Sequence, residues 1–300
     1  MITIEPAQIE VAGHRIQLAI DRPKSAQTEE LPVIVMPPAF NKTMRDYFLL
    51  SLYFVYNDFL VIRYDNVNHL GRSSGSIYDF NLSDCLFTLE QVTAFVRDRF
   101  QSRVSVLATS LMGRVMLRHL RSPLAGIYEL VGLLLPVVNV EHTINHIVGI
   151  DLFERERAGD PVIEVDILGN RVRAERFVRD VIQQQYDSVT SVMDDLRHAD
   201  RDLLVFAAPK DEWVRYDEVL SLFSRYERTQ QMVVLENSSH QLDRNLVACK
   251  QLFREVVGSY MRAIDVKKRD PRFPSFREIV ANSRIDRAHE EADSLTVAGV

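Results

Sequence analysis

Three residues of this sequence are of the types that together turn a hydroxyl into a nucleophile. Ser110 sits in the run Ser105-Val106-Leu107-Ala108-Thr109-Ser110-Leu111-Met112-Gly113, where an apolar strand passes straight into a helical pattern. A serine at such a joint has its Oγ lifted above the sheet, the arrangement known as a nucleophile elbow. The usual pattern is G-x-S-x-G. Here the flanking positions are Ala108 and Met112, with Gly113 one residue further on. Small residues are needed there because the strand and helix backbones pass close together. Ala108 meets that need, and Gly113 is placed to relieve the crowding that Met112 brings. Taken alone, Ser110 could equally be a helix N-cap, since serine is a favoured capping residue.

A serine hydroxyl needs a base, and the base needs an orienting acid. In the order Ser, Asp, His that elbow enzymes follow, the acid is Asp211, just past the apolar run Leu203–Ala208 and 101 residues after Ser110. The base is His240, 29 residues later in Glu236-Asn237-Ser238-Ser239-His240, after the run Met232–Leu235. The other seven histidines fit less well. His119 falls inside a helical pattern, His14 in the first hairpin, His142, His146 and His198 in a polar middle stretch, and His289 near the end. His69 follows a strand but precedes the serine. An acyl-transfer site also needs two N–H donors for the oxyanion. One is expected from Leu111. The other must come from the loop after Leu31–Met36, where Pro37 and Pro38 have no N–H. That leaves Ala39 or Phe40, and Phe40 is preferred.

These residues must be carried by a sheet. Leu31–Met36, Phe59–Tyr64, Val104–Ala108, part of Tyr128–Val140, Leu203–Ala208 and Met232–Leu235 read as strands. Asp46–Asn57, Leu82–Phe100 and Met112–Leu120 read as helices. Two short strands around a turn at Gly13 precede them, and Gln27–Glu30 reads as a polar loop. The alternation predicts an α/β fold: a mostly parallel central sheet with helices on both faces. Residues 1–140 and 201–264 would form that core. Residues 141–200, mostly polar with short helical patterns, would be a cap inserted over the top of the sheet, or a separate small domain. Residues 265–300 form a charged tail, read as a surface helix or partly disordered.

Composition narrows the function classes. Of 300 residues 46% are hydrophobic and 26% charged, a globular profile, and 36 basic against 42 acidic residues give a net charge of −6. No long basic run appears, which argues against nucleic acid as the main partner. Cys85 and Cys249 stand 164 residues apart without metal-type spacing. Neither a disulfide framework nor a cysteine-based zinc site is expected, and a reducing cytoplasm fits. Residues Met1–Pro6 lack the basic-then-apolar order of a secretory signal. The longest apolar run, Ile127–Val140, is interrupted by Glu129 and Pro136 and falls short of the ~20 residues a bilayer span needs. No membrane span and no cofactor are expected.

The strings Val61–Ser76 (V-I-R-Y-D-N-V-N-H-L-G-R-S-S-G-S), Ala108–Val115, Asp211–Val214 (D-E-W-V) and Asn237–His240 resemble the LuxD-type acyl transferases of bacterial luminescence. Those are thioesterases acting on myristoyl-acyl carrier protein. The resemblance runs in order from about Pro32 to Ile264. It implies an α/β-hydrolase with a cap, with Ser110 as nucleophile, Asp211 as acid and His240 as base. It further implies acylation of the serine by an acyl-carrier-protein or coenzyme-A thioester, and transfer to water or to a partner reductase or synthetase. The prolines at 37 and 38 and the Met112-Gly113 pair depart from that family's pattern. Met112, Phe153, Phe177 and Tyr186 are the candidates for an acyl pocket. Two other activities suit the same triad: general carboxylester hydrolysis, and a thioesterase step in polyketide or lipopeptide assembly. A third reading is a scaffold that keeps the fold without catalysis.

Overall fold

A computed structural model describes residues 2–24, 31–241, 246–264 (backbone only at 246–248), 270–275 and 277–278. The chain begins with a hairpin of two ten-residue strands, β1 (Ile2–Val11) and β2 (His14–Pro23). Both are longer than the two short strands expected around Gly13. Ala12 and Gly13 both have positive φ, 50° and 78°, which matches the tight turn that suits the twist of paired strands. Then follow β3 (Val33–Met36), α1 (Phe48–Val55), β4 (Leu60–Tyr64), α2 (Leu82–Arg99), β5 (Val104–Thr109), α3 (Leu111–His119) and β6 (Tyr128–Leu134). The loop expected at Gln27–Glu30 lies outside the described residues.

From residue 140 to 197 the chain leaves the sheet. It runs through α4 (Val140–Val148), α5 (Leu152–Arg157), a small antiparallel hairpin of β7 (Val165–Ile167) and β8 (Asn170–Val172), α6 (Ala174–Gln183) and α7 (Val189–Arg197). It re-enters with β9 (Asp202–Ala207), α8 (Tyr216–Phe223), β10 (Thr229–Val234) and α9 (Leu246–Ala263). The eight-stranded sheet has the order β1-β2-β4-β3-β5-β6-β9-β10. β1 pairs antiparallel with β2 and β2 with β4; from β4 to β10 every pairing is parallel. The expected α/β architecture is therefore the observed one. Among the described residues no helix is long and apolar enough to cross a membrane.

Successive strand side chains point to opposite faces, and this period of two sorts the apolar residues into two cores. Val33, Val35, Val106, Ala108, Val131, Leu133 and Val205 face α2, α3 and α8. Ile34, Met36, Leu107, Leu130, Leu134, Leu204 and Phe206 face α1 and α9. The stretch 141–200 adds its apolar residues, Phe153, Phe177 and Tyr186 among them, to the first of these cores. It is thus packed continuously with the sheet rather than built around a core of its own. The tail set apart from residue 265 lies outside the described residues except at 270–275 and 277–278. There Arg272 N–H donates to Asn57 Oδ1 at 2.7 Å, and the Phe273 ring lies 5.9 Å from that of Tyr53.

The segment after β4 is held by a carboxylate. Asp65 Oδ1 accepts from Met44 N–H at 2.7 Å and Oδ2 from Arg72 N–H at 2.8 Å. Gly71 passes so close, at φ 114°, that a Cβ there would lie 2.2 Å from the Asp65 carboxyl carbon. An asparagine offers one acceptor oxygen where two are used. With that oxygen kept on Met44 N–H, the orphaned donor is Arg72 N–H, so Asp65→Asn is expected to cost about 1–3 kcal/mol and lower the melting temperature by several degrees, with the Met44 loop still held and turnover little changed. Thermal denaturation alongside kcat checks this; lost kcat at an unchanged melting temperature would contradict it.

Candidate active site

Ser110 stands between β5 and α3 with φ 55° and ψ −124°, a region that costs a non-glycine residue roughly 1–3 kcal/mol. Its neighbours over-determine it. Ser110 N–H donates to Leu134 O at 2.9 Å, and Ser110 O accepts from Gly113 N–H at 2.9 Å and Val137 N–H at 3.1 Å. The side chain makes no capping bond to α3, so the N-cap alternative does not hold. Instead Ser110 Oγ lies 2.7 Å from His240 Nε2.

His240 Nδ1 lies 2.7 Å from Asp211 Oδ2. The other Asp211 oxygen accepts from Trp213 N–H at 2.9 Å and Val214 N–H at 2.8 Å. With Asp211 ionised, Nδ1 carries the imidazole proton and Nε2 is left to accept from the serine hydroxyl. Both side chains of this pair are nearly buried, at 4% and 3% exposure, where an ionic hydrogen bond is screened little by water. The Trp213 ring lies against the imidazole, centroids 4.7 Å apart. Glu212 Oε2 accepts from His240 N–H at 2.9 Å. Sequence reasoning assigned no role to Glu212 or Trp213, although both lie in the D-E-W-V string.

The structure places Leu111 directly after Ser110 and Phe40 on the wall of the same cleft. It also separates Phe40 from Ala39. Ala39 N–H donates to Tyr47 Oη at 3.0 Å, while among the described residues neither Phe40 N–H nor Leu111 N–H has a protein acceptor. Burial pushes the Tyr47 phenol up to about 12, so it stays neutral and holds Ala39. His69 has its ring 5.9 Å from that of Phe40. Burial pushes its pKa down to about 4, so it is uncharged at neutral pH.

The cleft over Ser110 encloses about 740 Å³, within the usual range for small-molecule sites. The four proposed acyl-pocket residues do not line it. Met112 is buried beneath the loop, its Sδ 3.7 Å from Asn66 Nδ2. Phe153 is buried in the core, Phe177 stacks on Phe80 at 5.6 Å, and Tyr186 lies under the Arg114 and Arg118 guanidinium groups. The reason is side: these residues belong to the core on the α2/α3 face. The lining instead includes Tyr47 and Leu50, Leu134 and Leu135, Cys249 and Phe253, with Leu168 from the β7–β8 turn. Among the described residues no group of three or more His, Cys, Asp or Glu side chains converges as a metal site requires.

At Gly113 a Cβ would come 2.9 Å from Pro136 Cβ and 3.1 Å from its Cα. The small residue that the elbow needs is thus at 113, one position later than the usual pattern. Gly113→Ala is expected to cost about 1–3 kcal/mol through overpacking and to slow reaction at Ser110. Melting temperature and the rate of fluorophosphonate labelling, measured together, check both halves.

A family model described as acyl transferase matches residues 6–278. An acyl transferase of Photorhabdus luminescens is 28% identical over 274 residues, covering 87% of this chain and 86% of the relative. One from Vibrio campbellii is 26% identical over 294 residues, 95% of each. Among solved structures, Est1E of Butyrivibrio proteoclasticus with bound ferulic acid superposes with a TM-score of 0.72 at 17% identity, over 87% of this chain and 100% of that one. The thioesterase domain from the curacin biosynthetic pathway does so with a TM-score of 0.55 at 11% identity, over 85% and 99%. These structural likenesses establish the α/β-hydrolase fold.

Proposed function

This chain belongs to the acyl transferase family, and on that premise we propose that it is a serine acyltransferase or thioesterase working through an acyl-serine intermediate. Membership and fold make it an enzyme of acyl groups. The observation that carries the finer reading is the unbroken chain Ser110 Oγ, His240, Asp211, with both links at 2.7 Å. A scaffold without catalysis has no use for that alignment, which is set on a strained residue. The donor would be an acyl-carrier-protein or coenzyme-A thioester in the cytoplasm, and the acceptor water or a partner reductase or synthetase. Residues 141–200 would act as the cap, with the β7–β8 turn over the mouth.

The steps follow from the geometry. Ser110 Oγ attacks the thioester carbonyl carbon while His240 Nε2 takes its proton. The carbonyl oxygen becomes an oxyanion that Leu111 N–H and Phe40 N–H can receive; one such donor contributes roughly 10²–10³ in rate. The C–S bond then breaks, and the thiol leaves with the proton from Nε2. In the second half the acceptor's O–H, or another nucleophile, gives its proton to Nε2 and attacks the acyl-serine, which restores Ser110. Asp211 holds Nδ1–H throughout and stabilises the imidazolium as it forms.

Ser110→Ala is expected to abolish acylation. In Asp211→Asn the oxygen that accepts from Trp213 and Val214 keeps those bonds, so the amide NH₂ faces Nδ1. The imidazole proton is then driven to Nε2, which cannot accept from serine. The fold should survive and turnover should fall by as much as ~10⁴. Intact mass spectrometry after incubation with acyl thioesters and oxygen esters of equal chain length reads the adduct, its lifetime and the preferred donor. Turnover near wild type in either variant would refute the triad, and a preference for oxygen esters would favour the carboxylesterase reading.

A further inference from the structure

Resting on the acyl-serine reading, we propose that the acyl chain lies between α1 and α9, away from the insertion, and that Cys249 and Phe253 form the wall that sets its length. Among the described residues, α1, α9 and the end of β6 line the cleft over Ser110 with Tyr47 and Leu50, Cys249 and Phe253, and Leu134 and Leu135; Ala39, Phe40, Leu168 and Trp213 add apolar surface, and Asn41, Lys42, Asp46 and Gln241 form its polar border. Tyr47 and Leu50 are three residues apart, Cys249 and Phe253 four apart. Each pair therefore presents one face of its helical segment, and the two faces meet across the cleft. Tyr47, Leu50, Leu134 and Leu135 belong to the core on this side of the sheet, and Phe253 packs against it.

An acyl chain gains from each methylene that leaves water, about fourfold in binding per CH₂. It will follow apolar wall, leaving the polar border to the carrier side of the thioester. The insertion offers no comparable wall: of its residues only Leu168 lines the cleft among those described, and its large aromatics are spent on the opposite core. Cys249 is half-buried and Phe253 likewise, so bulk added at 249 enters the cleft rather than a filled core. Phe253 is steadied by the Tyr53 ring, centroids 6.0 Å apart.

The test uses the whole chain. Cys249→Trp should lower the ratio of dodecanoyl to acetyl thioester turnover at least tenfold. Because that variant could misfold, the same ratio is read on folded wild-type protein alkylated with N-ethylmaleimide. Cys85 is buried, at 1% exposure, and mass spectrometry verifies a single adduct at Cys249. In a third arm dodecanoate is added to Ser110→Ala protein, which cannot form an acyl-serine, and should slow that alkylation several-fold. An unchanged ratio in the alkylated protein, or alkylation equally fast with and without dodecanoate, overturns the pocket. The serine reading fails by a different signature, absence of fluorophosphonate label at Ser110 in the wild type. Protection by dodecanoate in the third arm would then still support the pocket.

Discussion

The site depends on one backbone constraint: Ser110 is held at φ 55°, ψ −124° by the end of the neighbouring strand. Leu134 O and Val137 N–H grip it from either side of Pro136, and Pro136 in turn presses on Gly113. Strand β6 and the turn after it thus carry none of the three side chains yet decide where the Ser110 hydroxyl points. With the backbone fixed this way, Oγ cannot fold back to cap α3 and is left for the imidazole. The parallel order β5-β6-β9-β10 does the rest. It brings the carboxyl ends of β5, β9 and β10 to one edge, and those are the strands followed by Ser110, Asp211 and His240. Ser110 and Asp211 follow strands two places apart, about 10 Å at normal strand spacing. That is a gap one imidazole with a hydrogen bond on each side can bridge.

The loop that carries Phe40 is fixed at a distance. Met44 ends up clamped at both backbone atoms, its N–H by Asp65 and its carbonyl by Arg63. Arg63 is itself fixed by Asp21, Nε to Oδ2 at 2.6 Å and Nη2 to Oδ1 at 2.9 Å, in a site almost without exposure. A buried ion pair is a weak source of stability, since desolvation offsets most of the attraction. Its value here is directional, because the guanidinium fork admits one geometry. With Ala39 N–H taken by Tyr47, Phe40 N–H is the one left without a protein acceptor among the described residues. The Arg63-Tyr64-Asp65 string therefore positions the loop without touching the reacting atoms.

The sequence made the meeting of Ser110, His240 and Asp211 legible and the lining of the cleft illegible, for a physical reason. Strand ends, residue order and helix starts are local patterns, and Ser110, Asp211 and His240 could be found from them. Elimination of the prolines, which lack an N–H, narrowed the loop donor to Ala39 or Phe40 and could not choose between them. The aromatics of the insertion were misplaced because periodicity reports that a face is buried and not what buries it. Ala174, Phe177, Val178 and Val181 on α6 mark such a face. Its partner, Phe80, lies nearly a hundred residues earlier in the chain. Tyr47, which disqualifies Ala39 as a donor, carries no signal at all in sequence. Its hydroxyl meets Ala39 N–H across eight residues of loop, a contact only the folded chain makes.

The insertion's attachment explains why Leu168 alone of its described residues lines the cleft. Arg114, one turn after the nucleophile, is fully buried and spends its donors on the insertion: Tyr186 O at 3.1 Å, Asp195 Oδ2 at 2.6 Å, Gln185 O at 2.8 Å and Ser191 Oγ at 3.2 Å. Asp195 also receives Arg118 and Arg121. Burial disfavours the charged guanidinium, and Asp195 opposes that effect. Breaking one partner of such a cluster strands the others in a dry interior, so α7 is fixed to α3 in one register. That commits the bulk of the insertion to the α3 face. What remains at the cleft is the β7–β8 turn, tied to the loop after β3 by Asn170 Nδ2 donating to Asn41 Oδ1 at 2.8 Å and Asn41 Nδ2 to Leu168 O at 3.3 Å. Those two bonds join the insertion to the loop that carries Phe40. Variation in the turn can therefore shift the loop that carries Phe40, while the bulk of the insertion stays locked on the α3 face.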